Sequence, residues 1–152
     1  MKKILYSVIC VCCFMVLLSA SCQASEWINI YTSSDYTVYY GKYSLGFLNN
    51  NPECDIVCVW VKHVYDDAYA RKNNTSPDGD TYVKTLVRDY MFDMNIKKAF
   101  VWQWRAYDKN EKLLSSGNIK SDKAIDVDKK EMKKLYSIAR DYYQKYHKNS
   151  KL

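Results

Sequence analysis

The segment Asp55–Tyr65 constrains the fold more than any other part of this sequence. Its residues alternate between two faces, as they do in a β-strand. One face is mainly valine, and the other is apolar except for one lysine: Val57, Val59, Val61, His63 and Tyr65, against Ile56, Cys58, Trp60, Lys62 and Val64. Because both faces are largely apolar, the pattern predicts a central strand that is covered on both sides.

Two predicted hairpins flank this strand. Trp27–Thr32 and Tyr36–Tyr40 are rich in β-branched and aromatic residues and are separated by a short polar break. Phe100–Tyr107 and Lys112–Ile119 are joined by a polar turn of Asp, Lys, Asn and Glu. In the first strand of the second pair, alternation places four residues on one face: Phe100, Trp102, Trp104 and Ala106.

Two other segments are harder to interpret. Tyr82–Asn95 fits helical spacing at some positions and period-two alternation at others. We predict a strand that ends near Asn95 and reverses around Ile96–Lys98, with a helix as the alternative. Asp66–Asp80 is polar and rich in turn residues, which predicts a loop.

The last element is a predicted amphipathic helix. Asp128 and Glu131 have the spacing of a capping box, and Val127 and Met132 have that of a hydrophobic staple. Apolar and tyrosine residues then recur every three or four positions: Met132, Leu135, Tyr136, Ala139, Tyr142, Tyr143 and Tyr146. The sequence therefore predicts an α+β fold, an antiparallel sheet of about five to six strands with one C-terminal amphipathic helix packed on it.

The beginning of the chain has the features of a secretory signal peptide. Lys2 and Lys3 precede an apolar run, and small residues lead to Ala24. We expect residues 1–24 to be removed between Ala24 and Ser25, leaving a single domain over residues 25–152. Two alternatives are lipidation of Cys22 after an imperfect lipobox and a retained membrane anchor. The protein is therefore expected to be exported to the periplasm, the cell surface or the medium, with membrane attachment only if it is lipidated.

Cys54 and Cys58 are the cysteines beyond the predicted leader. On one extended strand they would be about 13 Å apart, which is beyond the reach of a disulfide unless the chain bends. Two small buried apolar residues are the favoured interpretation, and a disulfide remains open.

The sequence offers no recognisable catalytic or metal-binding motif. His63 lies among valines and is expected to be half-buried with its hydrogen bonds satisfied, and His147 is expected in a fraying tail. The glycines are scattered, which excludes a glycine-rich phosphate loop. We therefore expect no enzyme activity, cofactor or metal, and export argues against nucleic acid as a partner.

Several short motifs resemble the surface-adhesin protein E family of small exported bacterial proteins. They are Glu26–Ile30 after the leader, Tyr43–Leu45 before the strand Cys58–Lys62, and Tyr107–Leu114, which resembles the tyrosine-aspartate hairpin turn of that family. The closing helix completes the likeness. The resemblance implies an antiparallel sheet with a C-terminal helix, dimerisation, and binding of host extracellular-matrix or serum proteins.

The function predicted from these features is that of an adhesin-like binding protein of the cell envelope or surface. Its expected partners are extracellular-matrix proteins or polyanionic glycans, and a homodimer is one expected assembly. The alternatives are a periplasmic structural or assembly component, and a small-ligand module with a pocket lined by Trp102, Trp104 and Tyr142. Exposed lysines are the candidate ligand contacts: Lys97, Lys98, Lys129, Lys133 and Lys134.

Overall fold

Eight strands form one antiparallel sheet in the computed structural model, which describes residues 26–75, 81–119, 123–128 and 130–147. The main path runs β1-β2-β4-β5-β6-β7, while β3 pairs with β4 and β8 pairs with β6. The strands are β1 (Trp27–Thr32), β2 (Tyr36–Gly41), β3 (Gly46–Phe47), β4 (Ile56–Tyr65), β5 (Thr85–Asp93), β6 (Lys98–Tyr107), β7 (Leu113–Asn118) and β8 (Ile125–Asp126). The α+β class is confirmed. The sheet has more strands than the five to six predicted, because the sequence did not indicate β3 and β8, which are only two residues long.

Strand β4 lies inside the sheet, between β2 and β5, as its apolar pattern predicted. Val57, Val59 and Val61 are buried beneath the C-terminal helix. The expectation of cover on both sides is wrong. The opposite face of the sheet, here named the open face, carries Trp60 and Lys62, which line a groove. Such side chains cover a sheet with rings or methylenes while their polar ends reach water.

The predicted C-terminal helix is confirmed as α2 (Lys130–His147), where α1 is a short helix described below. Leu135 and Ala139 are fully buried in the core, and Tyr136 packs against Phe92 with ring centroids 6.1 Å apart. The glutamate of the predicted capping box, Glu131, accepts a hydrogen bond from the Tyr36 hydroxyl at 2.9 Å. Helix α2 is therefore held to the sheet by an apolar stripe and by polar contacts at its edge.

The C-terminal end of α2 is fixed to the sheet rather than frayed, which corrects the expectation for His147. The His147 side chain is buried, and its Nε2 lies 3.6 Å from Oδ1 of Asp55. Tyr143 donates a hydrogen bond to the same oxygen at 2.5 Å and stacks on the imidazole. Asn95 donates to the other carboxylate oxygen of Asp55, so one aspartate joins α2 to a turn of the sheet.

The segment predicted as a loop contains α1 (Asp67–Asn73), which corrects that prediction. Asp66 caps the helix, because its side chain accepts hydrogen bonds from the backbone N–H groups of Ala68 and Tyr69. Tyr69 also stacks on Tyr65 at the end of β4. The polar composition of the segment gave no indication of this helix. Residues 76–80 lie outside the described residues.

The ambiguous segment Tyr82–Asn95 contains strand β5, so the strand prediction is confirmed over Thr85–Asp93. Its partner β6 carries a bulge, because Asp89 pairs with Gln103 whereas Tyr90 pairs with Val101. Trp102 is the additional residue, and 53% of it is exposed. The bulge reverses the alternation, so Phe100 and Trp104 do not share a face as the sequence predicted.

Both remaining cysteines are free thiols, and both are half-buried. Burial raises the pKa of the Cys58 thiol to about 12. This agrees with the favoured interpretation of small apolar residues, since a thiol of such high pKa stays protonated at neutral pH.

Candidate functional site

A concave feature with a volume of about 660 Å³ lies on the open face. Its floor comes from the middle strands of the sheet, which contribute Trp60, Lys62, Val87 and Arg105. We refer to this feature as the open-face groove. Its volume falls within the range of about 300–1,000 Å³ that is typical of ligand sites.

Lys62, on β4, lies on aromatic rings from the adjacent strand β2 and from β1 beyond it. Its Nζ is 4.5 Å from the ring centroid of Trp27 on β1 and 5.2 Å from that of Tyr39 on β2. Tyr39 is the register partner of Lys62, so the sheet itself brings these side chains together. The contacts are cation–π interactions, which hold a cation without neutralising its charge.

Arg105 repeats this arrangement on the other side of the groove. Its guanidinium carbon lies 5.2 Å from the ring centroid of Trp60. Among residues 26–75, 81–119, 123–128 and 130–147, no carboxylate lies within 4.0 Å of Lys62 or Arg105. Among these residues, neither cation forms an ion pair.

The turn between β6 and β7 forms one rim of the groove through Asp108, Lys109 and Glu111. The Asp108 side chain is engaged within the turn, where it accepts hydrogen bonds from the backbone N–H groups of Asn110 and Lys112. At the same end, Lys84 also lines the groove and forms an ion pair with Asp67 at 2.6 Å. Among the described residues, the lining contains four cationic and two anionic side chains.

The environment of Lys62 disfavours its charged form in the absence of a ligand. Burial lowers the pKa of the Lys62 amine, and the charge of Glu111 offsets only part of this effect. A partly desolvated cation without an ion-pair partner gains more from an incoming anion than a fully hydrated one. The geometry therefore favours an anionic ligand beside Lys62.

The floor of the groove near Trp60 depends on a plug made by Ser44. Strand β2 pairs with β4 as far as Val61, and β3 pairs with β4 only at Val57 and Cys58. In the gap between them, the Ser44 hydroxyl accepts a hydrogen bond from the Trp60 backbone N–H at 2.9 Å and donates one to the carbonyl of Gly41 at 2.7 Å. Ser44 thus satisfies a backbone donor that would otherwise be unpaired.

Gly41 is required at its position by this plug. A Cβ at residue 41 would lie 2.9 Å from the Ser44 hydroxyl oxygen, and its φ of −79° shows that space rather than backbone conformation is limiting. We expect Gly41→Ala to lower the free energy of unfolding by about 1–3 kcal/mol, measured by urea denaturation. Gly46→Ala is the matched control, because a Cβ there meets no atom within 4 Å. Equal losses in the two variants would contradict the proposed role of the plug.

Of the lysines predicted from the sequence, the four that the structure describes lie outside the groove lining. Lys97 is exposed in the turn before β6, and Lys98 is half-buried at the start of that strand. Lys133 is exposed on α2, whereas the Lys134 Nζ donates a hydrogen bond to the carbonyl of Ile30 at 2.7 Å. Lys129, together with Cys22, Ala24 and Ser25 of the predicted leader, lies outside the described residues.

Trp102, Trp104 and Tyr142 have different surroundings and do not line one pocket as predicted. Trp102 is exposed in the bulge, and Tyr142 packs against Phe47 with ring centroids 5.5 Å apart. Trp104 lines a smaller cavity of about 380 Å³ together with Leu114 and residues of the segment after α1. This prediction of a small-ligand pocket was therefore wrong in its residues.

Sequence reasoning missed Trp27, Trp60, Lys62 and Arg105 as site residues. One signal was present: Lys62 is the single charged residue within Ile56–Tyr65, where burial should select against charge. A charge kept inside an apolar strand indicates either a structural partner or a ligand. For Lys62 the partners are aromatic rings, which the sequence alone could not place.

In the part of the chain that the structure describes, no cluster of three or more histidine, cysteine or acidic side chains could hold a metal ion. The described helices also include none that is both long and apolar enough to cross a membrane.

Comparison with known proteins yielded no match, either to models of protein families or to curated sequences. The resemblance to the surface-adhesin protein E family therefore stays a prediction from its short motifs.

Proposed function

We propose that this protein is a non-enzymatic, adhesin-like binding protein of the bacterial envelope or surface, and that its open-face groove binds an anionic partner. The observation that carries the proposal is the pair of cations, Lys62 and Arg105, which rest on aromatic rings with no carboxylate within 4.0 Å among the described residues. Matrix proteins with acidic segments and polyanionic glycans both present suitable charges.

The different compositions of the two sheet faces support this proposal. The face beneath α2 is filled by valines, Phe92 and Leu135, so it is occupied by the core. The open face instead presents tryptophan rings and an arginine, residue types that are enriched where proteins meet their partners. The groove is therefore the described surface best suited to binding.

Export is the second part of the proposal and depends on the predicted leader. Intact-mass analysis and fractionation of cells that make the protein test it directly. We expect a soluble, released form whose mass begins at Ser25. Recovery of the full-length chain in the cytosol would contradict export. An acylated Cys22 in the membrane fraction would indicate surface anchoring instead of release.

The binding proposal predicts that charge in the groove controls affinity. We expect the purified protein to bind immobilised heparin or an acidic matrix protein saturably, and more weakly at high salt, because ions screen exposed charges. The double variant Lys62→Gln/Arg105→Gln should lose at least about tenfold in affinity, since each charge-assisted contact contributes about 1.5–3 kcal/mol. Surface plasmon resonance at low and high salt measures both effects.

A matched double variant controls for overall charge. Lys97→Gln/Lys133→Gln removes the same number of positive charges from exposed positions outside the groove. We expect this variant to bind within about threefold of the wild type, because distant surface charges act only through a screened field. An equal loss in both double variants, or the absence of binding to every probe, would contradict the role of the groove.

A further inference from the structure

We propose that the ligand of the open-face groove is an acidic oligosaccharide, whose rings stack on Trp27 and Trp60 while its carboxylate or sulfate lies between Lys62 and Arg105. This inference rests on the proposed function and specifies its ligand.

The backbone beneath the groove is unsuited to an extended peptide. Strands β4, β5 and β6 are each paired along both edges where they form the floor. The exception, the Trp60 N–H, is taken by the Ser44 hydroxyl. A peptide that adds to a sheet requires a free strand edge for its main-chain hydrogen bonds. Strand addition is therefore excluded along this floor, and recognition there depends on side chains.

Trp27 and Trp60 offer flat apolar surfaces on either side of Gly41, which has no side chain. Gly41 is the register partner of Trp27, and a Cβ added to it would lie 3.8 Å from Cζ3 of the Trp27 indole. Tyr40, one residue earlier, pairs with Val61, which places Gly41 beside Trp60. The C–H bonds on the face of a pyranose ring pack well on the negative face of an indole.

The two cations flank a short apolar floor. Lys62 pairs in register with Val87, and Val87 pairs with Arg105, so the two cationic residues are separated by one strand. Two strand spacings place their Cα atoms about 10 Å apart. An acid group above Val87 would lie between an ammonium and a guanidinium, and moving the cations onto it would release the indole faces for the sugar rings.

The carboxylates that the structure describes around the groove do not fill this position. Asp108 is engaged by its own turn, and Glu111 is exposed on the rim. Asp89, the register partner of Trp60, accepts a hydrogen bond from Gln103 at 3.5 Å. The position above Val87 is therefore flanked by the two cations, and the described acidic groups lie farther out around the groove.

The test compares ligands that differ in one property at a time. A hyaluronan hexasaccharide carries three carboxylates on sugar rings, a chitin hexasaccharide has the same number of rings without charge, and a peptide of alternating Glu and Gly with three Glu carries the charge without rings. Isothermal titration calorimetry on the purified protein at one salt concentration gives each affinity. We expect the acidic saccharide to bind at least about tenfold more tightly than either of the others.

Substitutions then identify the contacts. We expect Trp60→Leu and Trp27→Leu each to weaken saccharide binding at least about fivefold. Using both variants protects the test against a folding defect in one, and urea denaturation verifies each fold. Equal binding of peptide and acidic saccharide, or equal binding of neutral and acidic saccharide, would overturn this inference. The first result would leave the proposed anionic groove intact, whereas failure of all three ligands together with heparin would remove both proposals.

Discussion

Replacing Phe92 by Ala should lower the free energy of unfolding by about 3–5 kcal/mol. The Phe92 side chain is 0% exposed and lies on β5 beneath α2. Its ring is 6.1 Å from that of Tyr136 on α2 and 6.1 Å from that of Tyr90 in the same strand. Removing the ring would leave a cavity where sheet and helix meet. The free-energy cost of this cavity adds to the lost transfer free energy of the ring. Urea denaturation followed by circular dichroism measures the change.

The matched control for Phe92 is Ile96→Ala, a large apolar residue that is 57% exposed in the turn before β6. We expect a change of no more than about 0.5 kcal/mol there, as for most surface substitutions. If Phe92→Ala were no more destabilising than Ile96→Ala, α2 would not pack on the sheet as described. The assignment of the open face would then be wrong as well, because that face is defined as the side of the sheet opposite α2.

The second large effect is a loss of stability in mild acid caused by His63. The side chain is 5% exposed, more deeply buried than the sequence predicted, and its Nδ1 has no hydrogen-bond partner among the residues that the structure describes. Burial, and to a lesser extent the charge of Arg88, lowers the pKa of the imidazole to about 4. An unfolded chain would take up the proton near pH 6.5, which is the ordinary value for histidine.

The direction of this effect follows from proton linkage. Above pH 6.5 both states hold a neutral His63, and its contribution to stability is fully present. As the pH falls from 6.5 towards 4, only the unfolded state binds the proton, so stability decreases by as much as about 3 kcal/mol. Below pH 4 both states are protonated and the loss levels off.

Two measurements test the role of His63. The ring protons of His63 in NMR spectra of the folded protein should show no titration until the pH approaches 4. The variant His63→Leu, which cannot be protonated, should lose about 2–3 kcal/mol less than the wild type between pH 7 and 4.5 in urea denaturation. Titration of His63 near pH 6.5 in the folded protein would contradict this account.

The apolar patterns of the sequence predicted the core of the fold correctly. Val57, Val59 and Val61 identified the strand that lies inside the sheet, and the stripe of α2 identified the surface that covers it. Such patterns succeed because burial acts on every second residue of a strand and on every third or fourth residue of a helix. The short helix α1 was missed because it depends on the cap formed by Asp66 rather than on an apolar stripe.

The candidate site was not predictable to the same degree. Counting exposed lysines favoured Lys97 and Lys133, whereas the groove depends on which rings the register places beside Lys62 and Arg105. Trp27 and Lys62 are far apart in sequence and meet only because β2 lies between their strands. The bulge at Trp102 also changed which aromatic residues of β6 share a face. These are properties of strand pairing, which a single sequence does not encode in a local pattern.

The most direct test of the central claim is to map binding onto the two faces of the sheet. In ¹H–¹⁵N NMR spectra of the labelled protein, heparin-derived oligosaccharide is added at moderate salt and the backbone amide shifts are followed. We expect the largest changes at Trp60, Lys62, Val87 and Arg105, with α2 unaffected around Lys133. Changes concentrated on α2, with the amides of the groove unmoved, would contradict the assignment of the open face as the binding surface.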